Sequence, residues 1–135
     1  MKYAVIDTNV IVSALISKNP QSPTVRILDA VMSDAITPLH SPEILAEYRN
    51  VLARKHFRFK QVAIDNVISR FVDYGRPVQP AQSEEDFLDP SDKVFYCVAL
   101  ASQDDGAVLV TGNTRHYPQT PLVMTPAEFV ESASI

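Results

Sequence analysis

One cysteine in 135 residues, Cys97, leaves no partner for an intrachain disulfide and no set of thiolates for a zinc site. That agrees with a reducing compartment, and a cytoplasmic location is expected. A basic excess is missing too. The net charge is −4 and the sequence pI ≈ 5.2, which argues against the net basic surface that strong non-specific nucleic-acid binding needs, though not against a local basic groove. No charged-then-apolar leader precedes Tyr3, which already reads as strand. No apolar run approaches the length that spans a bilayer, so no membrane association is expected. Repeats and low-complexity tracts are also lacking. What remains is ordinary globular composition, 46% hydrophobic and 21% charged, incompatible with disorder and sufficient for one domain over 1–135 with its own core.

Two uninterrupted apolar segments, Tyr3 to Ile6 and "AVLVT" from Ala107, have the character of strands covered on both faces. "AITPLH" and "LVMT" add two shorter strands, and "PVQPA" a poor edge strand whose prolines cannot donate to a ladder. Between them lie helical patterns. Val10, Ile11, Ala14 and Leu15 share one helix face, as do Val25, Ile27, Leu28, Val31 and Met32 on a helix capped by Ser22 with Pro23 next. Ser41 and Pro42 open another, with a core face of Ile44, Leu45, Tyr48, Val51 and Leu52. A helix over 61–74 stops at Gly75, and its apolar residues Val62, Val67, Ile68, Phe71 and Val72 are read as core. "SDKVFYCVALASQ" and "TPAEFVESA" complete the set. Strands alternating with helices, two of them between the second and third strands, predict an α/β domain with a parallel sheet flanked by helices.

In such sheets ligands bind beyond the carboxyl ends of the strands. Asp7 ends the first strand, and Asn113 lies two residues past Thr111 at the same end of "AVLVT". If those strands are adjacent, both oxygen-bearing side chains share a rim. Asp7 also suits a cap for the helix that starts near Thr8; "DTN" holds more oxygens than a cap needs. Glu47 falls roughly 40° outside Val51, at the margin of the buried stripe, and read alone is an ordinary solvated glutamate. In "DPSD", Asp89 reads as cap, Pro90 as first helical residue and Asp92 as the third; capping and dipole complementarity account for both aspartates, and neither role prevents Asp92 from facing a cation. Hard oxygen ligands without cysteine suit Mg2+ or Mn2+. Lacking a metal, clustered acids repel one another and raise a pKa. "ARKHFRFK" places Arg54, Lys55, Arg58 and Lys60 among His56, Phe57 and Phe59, a composition that suits single-stranded RNA and equally a helix joint with the phenylalanines turned inward. Arg115 and His116 stand close enough to Asn113 to meet substrate phosphate; His40 and His56 read as structural or solvated.

"VIDTNVIVSAL", "SPEILAEYRNVL", "DPSDKVFYCVALAS", "LVTGNTRHYP" and "TPAEFVE" together resemble the PIN domain, and within it the VapC-like toxins of prokaryotic toxin–antitoxin systems. The resemblance runs from Lys2 to about Glu131. It implies a three-layer fold with a sheet of about five parallel strands. It also implies a Mg2+- or Mn2+-dependent ribonuclease in which water attacks an RNA phosphodiester in line. Asp7, Glu47 and Asp92 match the family's first three acids, with Asp7 and Asp92 as principal ligands and Glu47 orienting water. Asn113 holds the place of a frequent fourth aspartate, as a weaker, uncharged ligand. Asn9 and Thr111 are expected to support the ligands. Homodimerisation is implied, as is an antitoxin that covers the site.

Two other readings compete. A non-catalytic PIN-like module that binds RNA or protein is favoured by the missing fourth acid. A phosphatase of the haloacid dehalogenase type also opens with an acid at a strand end, but Asn9 stands where its general-acid aspartate belongs and no lysine motif precedes "DPSD". A phosphorylated receiver domain is further off, since its acceptor lies at a later strand.

Overall fold

The opening apolar run forms β1 (Lys2–Ile6) in the computed structural model, which describes residues 2–135. Ala4, Val5 and Ile6 are buried in succession. Successive side chains of a strand point to opposite faces, so both faces of β1 are covered. Four further strands, β2 (Ile36–His40), β3 (Arg76–Pro77), β4 (Val108–Val110) and β5 (Val123–Met124), complete one sheet in the order β3-β2-β1-β4-β5. Every pairing is parallel, and β1 meets β4 with Ile6 opposite Val110. The α/β reading with five parallel strands therefore holds.

The helices are α1 (Thr8–Ile16), α2 (Pro23–Met32), α3 (Pro42–Leu52), α4 (Gln61–Tyr74), α5 (Pro90–Ala101) and α6 (Pro126–Ala133). Four of them start alike. Ser22, Ser41, Asp89 and Thr125 each accept a backbone N–H from the first turn, and each is followed by proline at the first helical position. Proline there loses nothing, because its N–H would be orphaned anyway. Thr125 and Glu128 close a reciprocal capping box. Helix α5 packs on β1, β2 and β4, while α2 and α4 lie against β2. Among the described residues no helix is long and apolar enough to cross a membrane.

Tyr48 ties α3 to this framework. Fully buried, it meets Phe71 of α4 edge-on with ring centroids 5.3 Å apart and Phe95 of α5 at 6.1 Å. Its hydroxyl donates to the Ile6 carbonyl at 2.5 Å, so the helix that carries Glu47 is anchored at the last residue of β1.

Three expectations change. Val62 and Val72 are 62% and 44% exposed rather than core. The inward face of α4 is Ile64, Val67, Ile68 and Phe71, an i, i+3, i+4, i+7 set, and the two valines lie beyond or at its edge. Met32, at the end of α2, is likewise exposed. The edge strand expected as "PVQPA" starts one residue earlier and ends at Pro77; Val78 still donates to the His40 carbonyl at 2.8 Å, but Pro80 has no N–H to continue the ladder.

Gly75 follows α4 in extended, not left-handed, backbone (φ −84°, ψ −177°). Glycine is needed there for room: a Cβ would stand 2.2 Å from the Phe71 carbonyl oxygen, 2.6 Å from that of Pro38 and 2.9 Å from His40 Cδ2. Gly75→Ala should therefore destabilise the protein by about 1–3 kcal/mol, the usual cost of overpacking, read as a lower midpoint in urea with an unchanged slope.

Candidate active site

Asp7 follows β1 directly, and its N–H extends the ladder by donating to the Val110 carbonyl at 3.0 Å. It occupies the cap position of α1, yet its carboxylate makes no cap hydrogen bond. Instead Oδ2 accepts from the Thr111 hydroxyl at 2.8 Å and the Tyr117 hydroxyl at 2.9 Å. Thr111 is brought there by the register of β4. Around it, Asn9 donates to Thr111 Oγ1 at 3.3 Å and accepts the Gly112 N–H at 2.9 Å, while the Asn113 N–H reaches Thr111 Oγ1 at 3.0 Å. The "DTN" and "TGN" stretches thus interlock through side chains across two neighbouring strand ends.

Asp7 is 6% exposed. Burial raises its pKa; Thr111, Tyr117, the Thr8 backbone and Asn9 oppose that shift to lesser degrees. Asp92, at the third position of α5, is also raised, first by burial and then by the charges of Asp7 and Asp89, with His116 opposing. Its Oδ2 lies 3.5 Å from His116 Nδ1. Asp89 does the capping: it accepts the Ser91 N–H and hydroxyl at 3.0 and 2.8 Å, and these bonds lower its pKa. Asp92 is therefore free of that duty. Burial and the charges of Asp7 and Asp92 push the Tyr117 hydroxyl well up, so it is a neutral donor.

Two acids that repel each other, with no lysine or arginine paired to either among the described residues, form a donor set that suits a hard divalent cation. Beside them the buried Thr8 hydroxyl has no hydrogen-bond partner. Among the described residues no three His, Cys, Asp or Glu side chains form a metal-holding group. What converges is the pair Asp7 and Asp92. Glu47 is half-buried next to Tyr48, and no hydrogen bond or ion pair among the described residues joins it to that pair. Asn113 is exposed, and its contact with the cluster is through its backbone N–H. Arg115 and His116 sit exposed in the short 3-10 turn over Thr114–His116, and His116 stands beside Asp92. Arg54 and Lys55 are exposed beyond the end of α3; Phe57 and Phe59 stack at 5.3 Å, and Phe59 packs against the core.

Tyr117 is the residue that sequence reasoning missed. "RHYP" in a loop carries no periodicity, and the one available hint is a polar-tipped aromatic near the strand end.

The PIN domain family model matches residues 3–115, from β1 to the turn after β4. No curated protein and no solved structure matches the chain.

The raised pKa of Asp7 has a definite sign. In chelator, the unfolded chain loses this proton first as pH rises past the ordinary 3.8, so the folded state pays increasingly until its own, higher pKa is passed. Asp7→Asn should thus melt above the wild type at pH 7, and the gap should close as pH falls toward 3.8, as followed by thermal denaturation across pH.

Proposed function

The chain belongs to the PIN domain family, and on that premise we propose that it is a metal-dependent endoribonuclease, the toxin of a toxin–antitoxin pair. PIN domains are nucleases that generally use divalent metal ions. The observation that carries the reading is the Asp7–Asp92 pair, partly buried, with the charge of Asp7 raising the pKa of Asp92 and no lysine or arginine among the described residues paired to either.

Asp7 and Asp92 would hold one Mg2+ or Mn2+. When bound, the ion offsets their charge, admits a substrate phosphate oxygen and lowers the pKa of water. The protein's own part is to hold the carboxylates in place. Thr111 and Tyr117 fix Asp7, and Asn9 holds Thr111 against the Gly112 backbone. In this proposal Glu47, half-buried on α3, orients the attacking water, and Asn113 offers a neutral carbonyl where a fourth acid would add charge. Arg115 and His116 meet the phosphate next to the cleaved one, and Arg54 and Lys55 guide the strand farther away. Acids bare of metal would repel the RNA, so the cation serves approach as well as hydrolysis. A homodimer and an antitoxin that places an arginine against the acids belong to the same proposal, as does a cytoplasmic location.

Asn113 in the place of an acid favours a second reading, a PIN-like module that binds RNA without cutting it. The two separate in one experiment. Single-stranded RNA should be cleaved in Mn2+, with cleavage abolished by chelator, by Asp7→Asn and by Asp92→Asn, and reduced by Glu47→Gln. RNA retained but uncut in Mn2+ would establish the binding module, and phosphate release from a small phosphoester alone would point to a phosphatase. Asp89→Ala sharpens the assignment: it should cost about 1 kcal/mol of stability, as lost caps do, while cleavage persists.

A further inference from the structure

Tyr117 is 5% exposed, and its phenol oxygen lies 2.9 Å from Asp7 Oδ2 across 110 positions of sequence. A buried tyrosine hydroxyl needs a partner, but here the partner already has one. Thr111 donates to the same Oδ2 at 2.8 Å. Two donors on one oxygen restrain the carboxylate and neither of them takes Oδ1, while the Thr8 backbone and the Asn9 side chain act on the same carboxylate to a lesser degree. The ring is held in turn by Phe87, whose centroid lies 5.8 Å from that of Tyr117 at 68° and 5.8 Å from that of Tyr96 at 50°. Tyr96 belongs to α5, one turn past Asp92. One phenylalanine in the segment before α5 therefore sets the turn that carries Tyr117 against the helix that carries Asp92.

The geometry points to Tyr117 as a positioning residue: with Thr111 it pins Oδ2 of Asp7, so that Oδ1 is the atom presented to a divalent cation shared with Asp92, and Phe87 keeps that clamp in register with α5. This rests on Asp7 and Asp92 being the ligands proposed above. The clamp acts on the free protein, before any ion arrives. It spares the ion the cost of ordering a carboxylate that could otherwise turn to cap α1. Hydrogen-bonding partners that orient a ligand typically change metal affinity by 10–100-fold.

Tyr117→Phe removes the hydroxyl and keeps the ring against Phe87. Titration of Mn2+ followed by the electron paramagnetic resonance of the free ion should show binding at least about 10-fold weaker than wild type. In chelator the variant should unfold as a cooperative domain. RNA cleavage should fall at limiting Mn2+ and return when Mn2+ is saturating, a recovery that general damage to the fold would not give. Phe87→Leu, which leaves the hydroxyl but loosens the ring, should weaken Mn2+ in the same direction and serves as the reporter if Tyr117→Phe does not fold. Wild-type affinity in a folded Tyr117→Phe overturns the clamp and leaves the nuclease reading standing, and wild-type affinity in Phe87→Leu overturns it likewise if that variant is the reporter. A folded wild type that binds no Mn2+ overturns both.

Discussion

A buried carboxylate with no lysine or arginine paired to it among the described residues has to be held by neutral donors, and the architecture around Asp7 answers to that requirement. Its Oδ2 takes two hydroxyls. Thr111 can supply the first because β4 runs parallel to β1 with Val110 opposite Ile6, so the residues just past each strand stand side by side. Tyr117 supplies the second because the chain turns back after β4 through a single 3-10 turn. Were the two strands one residue out of register, side chains would exchange faces and the hydroxyl would be lost to the opposite side of the sheet.

The neighbouring acids divide their work. Asp89 spends its carboxylate on the first turn of α5, which lowers its pKa, while Asp92 one turn inside is raised. Two aspartates three positions apart at the same helix start are thus driven in opposite directions by hydrogen bonding and burial. Tyr48 makes the corresponding connection for α3. Its hydroxyl on the Ile6 carbonyl fixes that helix at the residue before Asp7, and its ring meets both α4 and α5. Such fixed points matter where unfavourable charges are placed together, because the repulsion pushes their supports apart.

Much of this was legible because it is local. Serine, threonine or aspartate followed by proline marks the start of α2, α3, α5 and α6, and the capping chemistry involves residues three apart at most. The unbroken apolar runs of β1 and β4 mark strands covered on both sides. The phase of α4 was harder: six valine, isoleucine or phenylalanine residues in a 14-residue helix admit more than one stripe, and packing buried Ile64 while leaving Val62 exposed. Asp7 was visible as an acid at a strand end, but whether it capped α1 or faced elsewhere depended on donors more than one hundred positions away. Tyr117 and Phe87 were invisible for that same reason. Glu47 falls between these cases. Periodicity placed it at the border of the buried face, whereas its distance from the acids depends on the tilt of α3, which no local pattern encodes.

Both borders of the sheet are two residues long, Arg76–Pro77 on one side and Val123–Met124 on the other. One of these contains a proline, and each gives way at once to a segment of different geometry. A neighbouring chain that tried to extend the ladder would find almost no unpaired amide groups to bind. The sheet thus offers little purchase for edge-to-edge strand addition by another copy.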